Sequence, residues 1–325
     1  MSEPVAEALR PRKRRGSEFG LELRMLVLTL ILLVVLSLSS KYFLTYNNIM
    51  NVLDQSVVVG ILAIGQTAVV LTGGIDLSVG ALVGWGGMVL ALTSPSLGFV
   101  GSLLAGIVAG GVAGAINGLL VARVRIAPFI VTLGMLSVAR SVTYLVSDAA
   151  SITDLPPALI QISTGTVFGA PIDVLFLAAL YAASWWYFTS TKGGCTIYAI
   201  GSNTEAARIA GLAIARYTVG VYVVSGVLAA IAAAFMAGRI RAVDPTTGTG
   251  LELDSIAAVV IGGASLFGGR GSIIGTLFGV VIMVCIRNGL NLLGIDPYWQ
   301  GTAVGCIIVA AVAGERLLSW RRAGQ

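Results

Sequence analysis

Runs of about 20 apolar residues with almost no charge inside them recur along the whole chain, and each is long enough to cross a lipid bilayer as a helix. Ten such spans can be placed, at roughly 24–40, 56–73, 76–94, 101–122, 128–147, 170–189, 217–238, 254–268, 272–293 and 298–314. The runs are continuously apolar rather than alternating, which makes a transmembrane barrel a poor alternative. With 57% hydrophobic and 11% charged residues, the expected fold is an all-α polytopic membrane bundle. A cytoplasmic tail (1–23), a transmembrane domain (24–314, with a loop at 190–216) and a second cytoplasmic tail (315–325) follow from these spans. The basic run RPRKRR before the first span resembles the start of a signal peptide. The apolar run behind it is longer than a signal peptide's core and leads into further spans, so an uncleaved first helix is favoured.

Basic residues test the ten-span count. With the N-terminus inside, fifteen Lys and Arg fall in inside segments (10, 12–15, 24, 123, 125, 192, 208, 216, 270, 316, 321 and 322) and three outside (41, 239 and 241). One missed helix would invert every later loop, so this bias supports both the count and cytoplasmic termini. The net charge of +5 is thereby explained by topology and gives no reason to expect a nucleic acid partner.

The longest polar interruption, KGGCTIYAIGSNTEAARIAGLAIARY from Lys192 to Tyr217, then faces the cytoplasm. Asn203 or Thr204 can cap a short helix, with Glu205 near its positive end. Ala206, Ala207 and Arg208 favour helix, and Gly211 is placed to end it. Such a helix, held clear of the membrane, is suited to a soluble partner.

Three local matches suggest an inverted repeat of spans two to five on spans seven to ten. Asp76 and Asp254 open spans three and eight; Asn117-Gly118-Leu119 and Asn288-Gly289-Leu290 close spans four and nine; Pro128-Phe129 and Pro297-Tyr298 open spans five and ten. Transporters built this way carry their pathway at the repeat interface. Clusters among the 42 glycines suit close helix packing.

Asp76, with Ser78 beside it, and Asp254 are expected to cap their helices, with contact to a polar substrate as the other role. Glu252 reads as a solvated loop charge. Arg140 and Arg287 lie within spans, where an Arg costs at least about 2.5 kcal/mol. Arg287 can snorkel near a helix end, so Arg140 is the better candidate for a bundle-interior ion pair with an Asp. Asp76, Ser78, Asn117, Arg140, Asp254 and Asn288 are the candidate pathway residues. There is no histidine, so His-based catalysis and His metal ligation are excluded, and three scattered cysteines suggest neither disulfide nor metal site. No nucleotide-binding G-x-x-x-x-G-K-[ST] motif is present, so ATP-driven transport needs a separate subunit.

The stretches LTGGIDLSVGALVG (71–84), NGLLVARVRIAPFIVTLGMLSVAR (117–140), YAIGSNTEAARIAGL (198–212), YVVSGVLAAIAA (222–233), PTTGTGLELDSIAAVVIGGASLFGGRGSIIGTLFG (245–279) and NGLNLLGIDPYWQ (288–300) resemble the permease subunits of bacterial ATP-binding-cassette importers for monosaccharides, the ribose/xylose/arabinose permease family. The resemblance runs from span two to the C-terminus. It implies an inner-membrane permease without cofactor, paired with a second copy or a relative around a pathway for a sugar or small polyol. It also implies a cytoplasmic ATP-binding subunit and a periplasmic sugar-binding protein. In such importers a short cytoplasmic helix, often with E-A-A and a Gly after three more residues, seats in the ATPase. Here Gly201, Asn203, Glu205, Ala206, Ala207, Arg208 and Gly211 are the matching positions. A self-sufficient transporter or facilitator is the competing expectation, disfavoured by the missing acid or histidine relay. An intramembrane enzyme would need a nucleophile and base, or a metal site, that nothing here assembles.

Overall fold

The computed structural model describes residues 15–296, 299–302, 304–306, 309–310 and 313. It is helical almost throughout. The elements are α1 (Arg15–Ser39), α2 (Tyr46–Leu71), α3 (Val79–Leu119) with a π-helical turn at Leu120–Val124, α4 (Pro128–Val146) and α5 (Pro157–Thr164). A two-stranded hairpin, β1 (Thr166–Val167) with β2 (Ala170–Pro171), precedes α6 (Ile172–Ser190). Then come α7 (Lys192–Ser202), α8 (Thr204–Ile209), α9 (Ile214–Ile240), α10 (Leu251–Ile261) and α11 (Ile273–Leu292). Seven helices among the described residues are long and apolar enough to cross a membrane, and the chain is an all-α polytopic membrane protein. Their outward faces carry exposed Leu30, Val34, Leu104, Val108, Leu133 and Val138, surface that only lipid or another apolar face can cover.

Several boundaries differ from the sequence expectation. The first helix begins at Arg15, while its membrane-crossing stretch, Glu22–Ser39, matches the expected span. The spans expected at 76–94 and 101–122 are assigned together as the 41 residues of α3, broken at Gly98 (φ 65°, ψ −174°). Gly98 takes a positive φ that a side chain would resist. Beyond it the chain doubles back, since Gly106 approaches the Gly86 carbonyl and Asn117 reaches Ser78. α3 is therefore a hairpin of two arms. At the span expected at 254–268 the helix is α10, Leu251–Ile261, only 11 residues long and too short to span alone; Gly263 (φ 87°) and Gly268 (φ 87°) turn the chain behind it. The last expected span lies only partly within the described residues, and both terminal tails fall largely outside them.

α9 is the axis of the bundle. Its stretch GVLAAIAAAFMAG presents little side chain, so backbones can come close where lipid gives no hydrophobic drive for association. Gly110 and Gly226 face each other: a Cβ on Gly226 would stand 2.1 Å from the Gly110 carbonyl oxygen. Around this contact Ile61, Leu62, Leu82, Tyr222, Ala229 and Ala233 form the main core. Two smaller cores join α2 to α10 and α11, and the far ends of α3 and α9 to α5.

Gly226→Ala is expected to cost about 1–3 kcal/mol, because a methyl is driven into backbone that cannot yield. Gly220→Ala, on the same helix with nothing within 4 Å, should leave the detergent melting temperature unchanged. Equal melts for the two variants would contradict this packing.

Candidate functional site

The polar residues expected on the pathway fall into separate groups. Asp76 lies in the extended break between α2 and α3 and is fully buried. It is not a helix cap: Ser78 occupies the N-cap position of α3. Asp76 Oδ1 accepts the Ser78 backbone N–H at 3.0 Å and its hydroxyl at 2.6 Å, an Asx turn that fixes the break. Oδ2 accepts from Ser225 Oγ of α9 at 2.8 Å, and Asn117 Nδ2 donates to Ser78 Oγ at 3.0 Å. Asp76, Ser78 and Asn117 thus belong to one network, joined by Ser225, which the sequence reading missed. Beside it the buried Tyr222 hydroxyl and Asn117 Oδ1 have no partner among the described residues.

Neither arginine takes its expected role. The ion pair belongs to Arg287, whose Nη2 donates to Asp254 Oδ1 at 2.7 Å. Asp254 is not a cap either. It sits in the first turn of α10, behind Gly250 at the N-cap, with its side chain 2% exposed. A guanidinium reaching inward from α11 offsets the cost of burying that carboxylate. Arg140 instead donates from Nη1 to the carbonyl oxygens of Pro245 at 2.7 Å and Thr247 at 3.0 Å. The 241–250 segment leaves the end of α9, returns into the bundle against Gly80 and Gly84 of α3, and leads into α10. Irregular backbone at that depth must find internal hydrogen-bond partners, and Arg140 supplies two. Glu252 is not a solvated charge: its Oε1 accepts from Gly250 N at 3.2 Å and its buried Oε2 has no partner among the described residues. Asn288 stands apart from Asp254, in mutual hydrogen bonds with Asn48 of α2 at 3.0 and 2.7 Å.

The connection between α6 and α9 carries more helix than expected. Thr191 Oγ1 accepts from Gly194 N at 3.1 Å and so caps α7, placing Ile197 and Ile200 in the core. Near its end Gly201 lies so close to α2 that a Cβ would meet the Leu71 carbonyl oxygen at 1.8 Å. Gly269 N also donates to that oxygen at 3.0 Å, and Tyr198 Oη donates to the Gly271 carbonyl at 2.8 Å. α7 is thereby seated on the end of α2 and on the 262–272 loop. α8 follows at once, capped by Asn203 rather than Thr204, with Oδ1 accepting from Ala206 N at 2.9 Å. Gly211 (φ 75°) ends it. Of Thr204 to Ala210 only Ala207 is buried, so α8 projects. Glu205 pairs with Arg208 at 2.9 Å, and the guanidinium holds that carboxyl below its ordinary range. The pair is therefore complete above the usual carboxylate range and is lost as pH falls through the lowered value.

Residues 48–312 match the family described as branched-chain amino acid transport system / permease component. The chain belongs to this permease family. It is 39% identical over 293 residues to a ribose import permease protein of Bacillus subtilis, covering 88% of this chain and 90% of the relative. It is 37% identical over 298 residues to a D-allose transport system permease protein of Escherichia coli, covering 90% of each. Against a fructose import permease protein of Rhizobium meliloti it is 38% identical over 312 residues, covering 92% and 85%. No solved structure matches it.

Arg287→Ala leaves the Asp254 carboxylate buried and unpaired and is expected to destabilise this permease by about 3 kcal/mol. Adding Asp254→Ala should restore a large part of the loss. Additive losses in melts of the single and double variants would show that the pair is not coupled.

Proposed function

We propose that this chain is the permease subunit of an ATP-binding-cassette importer and forms the path by which a monosaccharide or similar polyol crosses the bacterial inner membrane. The relatives are named as permeases for ribose, D-allose and fructose, which supports the substrate class. The observation that carries the mechanism is α8: a short, capped, outward-facing helix, mounted through α7 directly on the end of α2. As the coupling helix, it seats Glu205, Ala206, Ala207 and Arg208 in a separate cytoplasmic ATPase, with Asn203 and Gly211 fixing its two ends. ATP binding draws the ATPase domains together. The displacement passes through Gly201 into α2 and the 262–272 loop, and so to the breaks that flank the pathway. A periplasmic binding protein delivers sugar to the opposite face, and a second copy or a relative completes the path.

Ten passes fit this reading: α1, α2, both arms of α3, α4, α6, α9, α10 continued by the 262–272 loop, α11 and the helix entered near Trp299. The termini and the α7–α8 connection are then cytoplasmic, in keeping with the bias of basic residues. An inverted repeat is supported by the two breaks. Asp76 lies buried within the first and Asp254 lies buried just after the second, and each is tied toward the end of a following span: Asp76 through Ser78 to Asn117, and Asp254 to Arg287.

Glu205→Lys reverses the charge of the exposed helix without touching the core. The variant is expected to insert normally but to lose co-purification with the ATPase and to lose ATP-dependent uptake in proteoliposomes. Undiminished uptake with the ATPase omitted would overturn the importer reading in favour of a facilitator.

A further inference from the structure

Arg140 is held by only one of its nitrogens. Both hydrogen bonds come from Nη1; Nε and Nη2 make none to a described residue, and neither is among the buried polar atoms left without a partner. A guanidinium has five N–H donors in a rigid fork, so clamping one edge on the 245–247 carbonyls aims the other edge away from that segment. Along α4 the same stripe continues at helical spacing through Ser137, Arg140, Ser141 and Tyr144, and the three hydroxyl residues are exposed. Ser137 Oγ turns back to the Leu133 carbonyl at 3.3 Å. Nothing among the described residues bonds the Ser141 or Tyr144 hydroxyl. Facing lipid, such groups and two free guanidinium nitrogens would go unsatisfied. The stripe therefore faces a polar space.

Charge limits what that space takes. Glu252, whose buried Oε2 has no partner among the described residues and lies against Gly80, one helical turn from the Gly84 that Arg140 Nη1 approaches, already places a carboxylate beside this site. A ligand carboxylate or phosphate gains little there, whereas a neutral polyhydroxylated molecule offers oxygens to the free N–H groups and to the exposed hydroxyls. We infer that Arg140, oriented by the Pro245 and Thr247 carbonyls, and the Ser137–Ser141–Tyr144 stripe of α4 form a hydrogen-bonding station for a neutral polyol inside the pathway. This inference rests on the importer reading given above. The station also explains why the 241–250 segment folds back into the bundle: it carries the carbonyls that aim Arg140.

The test uses the complete transporter, with its ATPase and binding protein, in proteoliposomes supplied with labelled ribose, allose or fructose. In a Cys195→Ser, Cys285→Ala, Cys306→Ser background that retains uptake, Ser141→Cys should react with a small charged methanethiosulfonate at least about tenfold faster than Val138→Cys, since thiolate forms only in water. The reaction should block uptake. Arg140→Lys keeps the charge and loses the fork. It should lower uptake about tenfold while still co-purifying with the ATPase. Ser141→Cys reacting no faster than Val138→Cys, cross-linking of Ser141→Cys directly to a second copy, or Arg140→Lys with full uptake would each overturn the station. Failure of the unsubstituted complex to take up any of the three sugars would instead overturn the sugar reading beneath it.

Discussion

Backbone meets backbone where α9 crosses the α3 hairpin, and the other elements take their places from that contact. Lipid offers no hydrophobic reward for bringing two apolar helices together, so the association depends on van der Waals contact over small residues. Gly110 against Gly226, Gly114 against the Tyr222 carbonyl and Gly86 against Ala230 supply it. With α9 this close, Ser225 reaches Asp76, and the extended break before α3 gains a partner from a distant part of the chain. A side chain at Gly226 would push the helices apart and take Ser225 from Asp76 Oδ2.

The same constraint shapes the irregular segments. Unpaired backbone polar groups within a bilayer are costly, so a broken helix persists only where protein or water satisfies it. The break at 72–78 is satisfied by the Asx turn of Asp76 and by Thr132 Oγ1 donating to the Ile75 carbonyl at 3.2 Å. The 241–250 segment is satisfied by Arg140 and by the short-range turn of Asp244, whose Oδ1 accepts from Thr246 N at 2.7 Å. Both breaks leave buried polar groups at interruptions of a helix, the arrangement that transporters use for their substrate sites. α7 joins this interior to the exposed α8, because Gly201 and Gly269 converge on one carbonyl, that of Leu71. Glycine contacts of this kind have no side chain to bend, so α7 sits directly on the end of α2.

Much of this was legible in the residues alone. Long apolar runs make helices in lipid whatever their neighbours do, since every backbone bond is made within the segment. The α8 helix was legible for an equally local reason: Asn203 caps within three residues and Gly211 terminates without outside help. Family membership followed from ordered motifs spread over most of the chain. What required the folded chain were pairings between distant positions. Asp76 reads as a cap until Ser225, 149 residues away, comes beside it. Arg287 and Arg140 look alike in sequence, each a lone cation in an apolar run. Only the packing of α11 on α10, and of α4 on the returning 241–250 segment, decides which of them meets Asp254 and which meets carbonyl oxygens. Sequence fixes local hydrogen bonding and hydrophobic length; side-chain electrostatics inside a bundle depend on which helix is the neighbour, and that is set by tertiary contact between small residues.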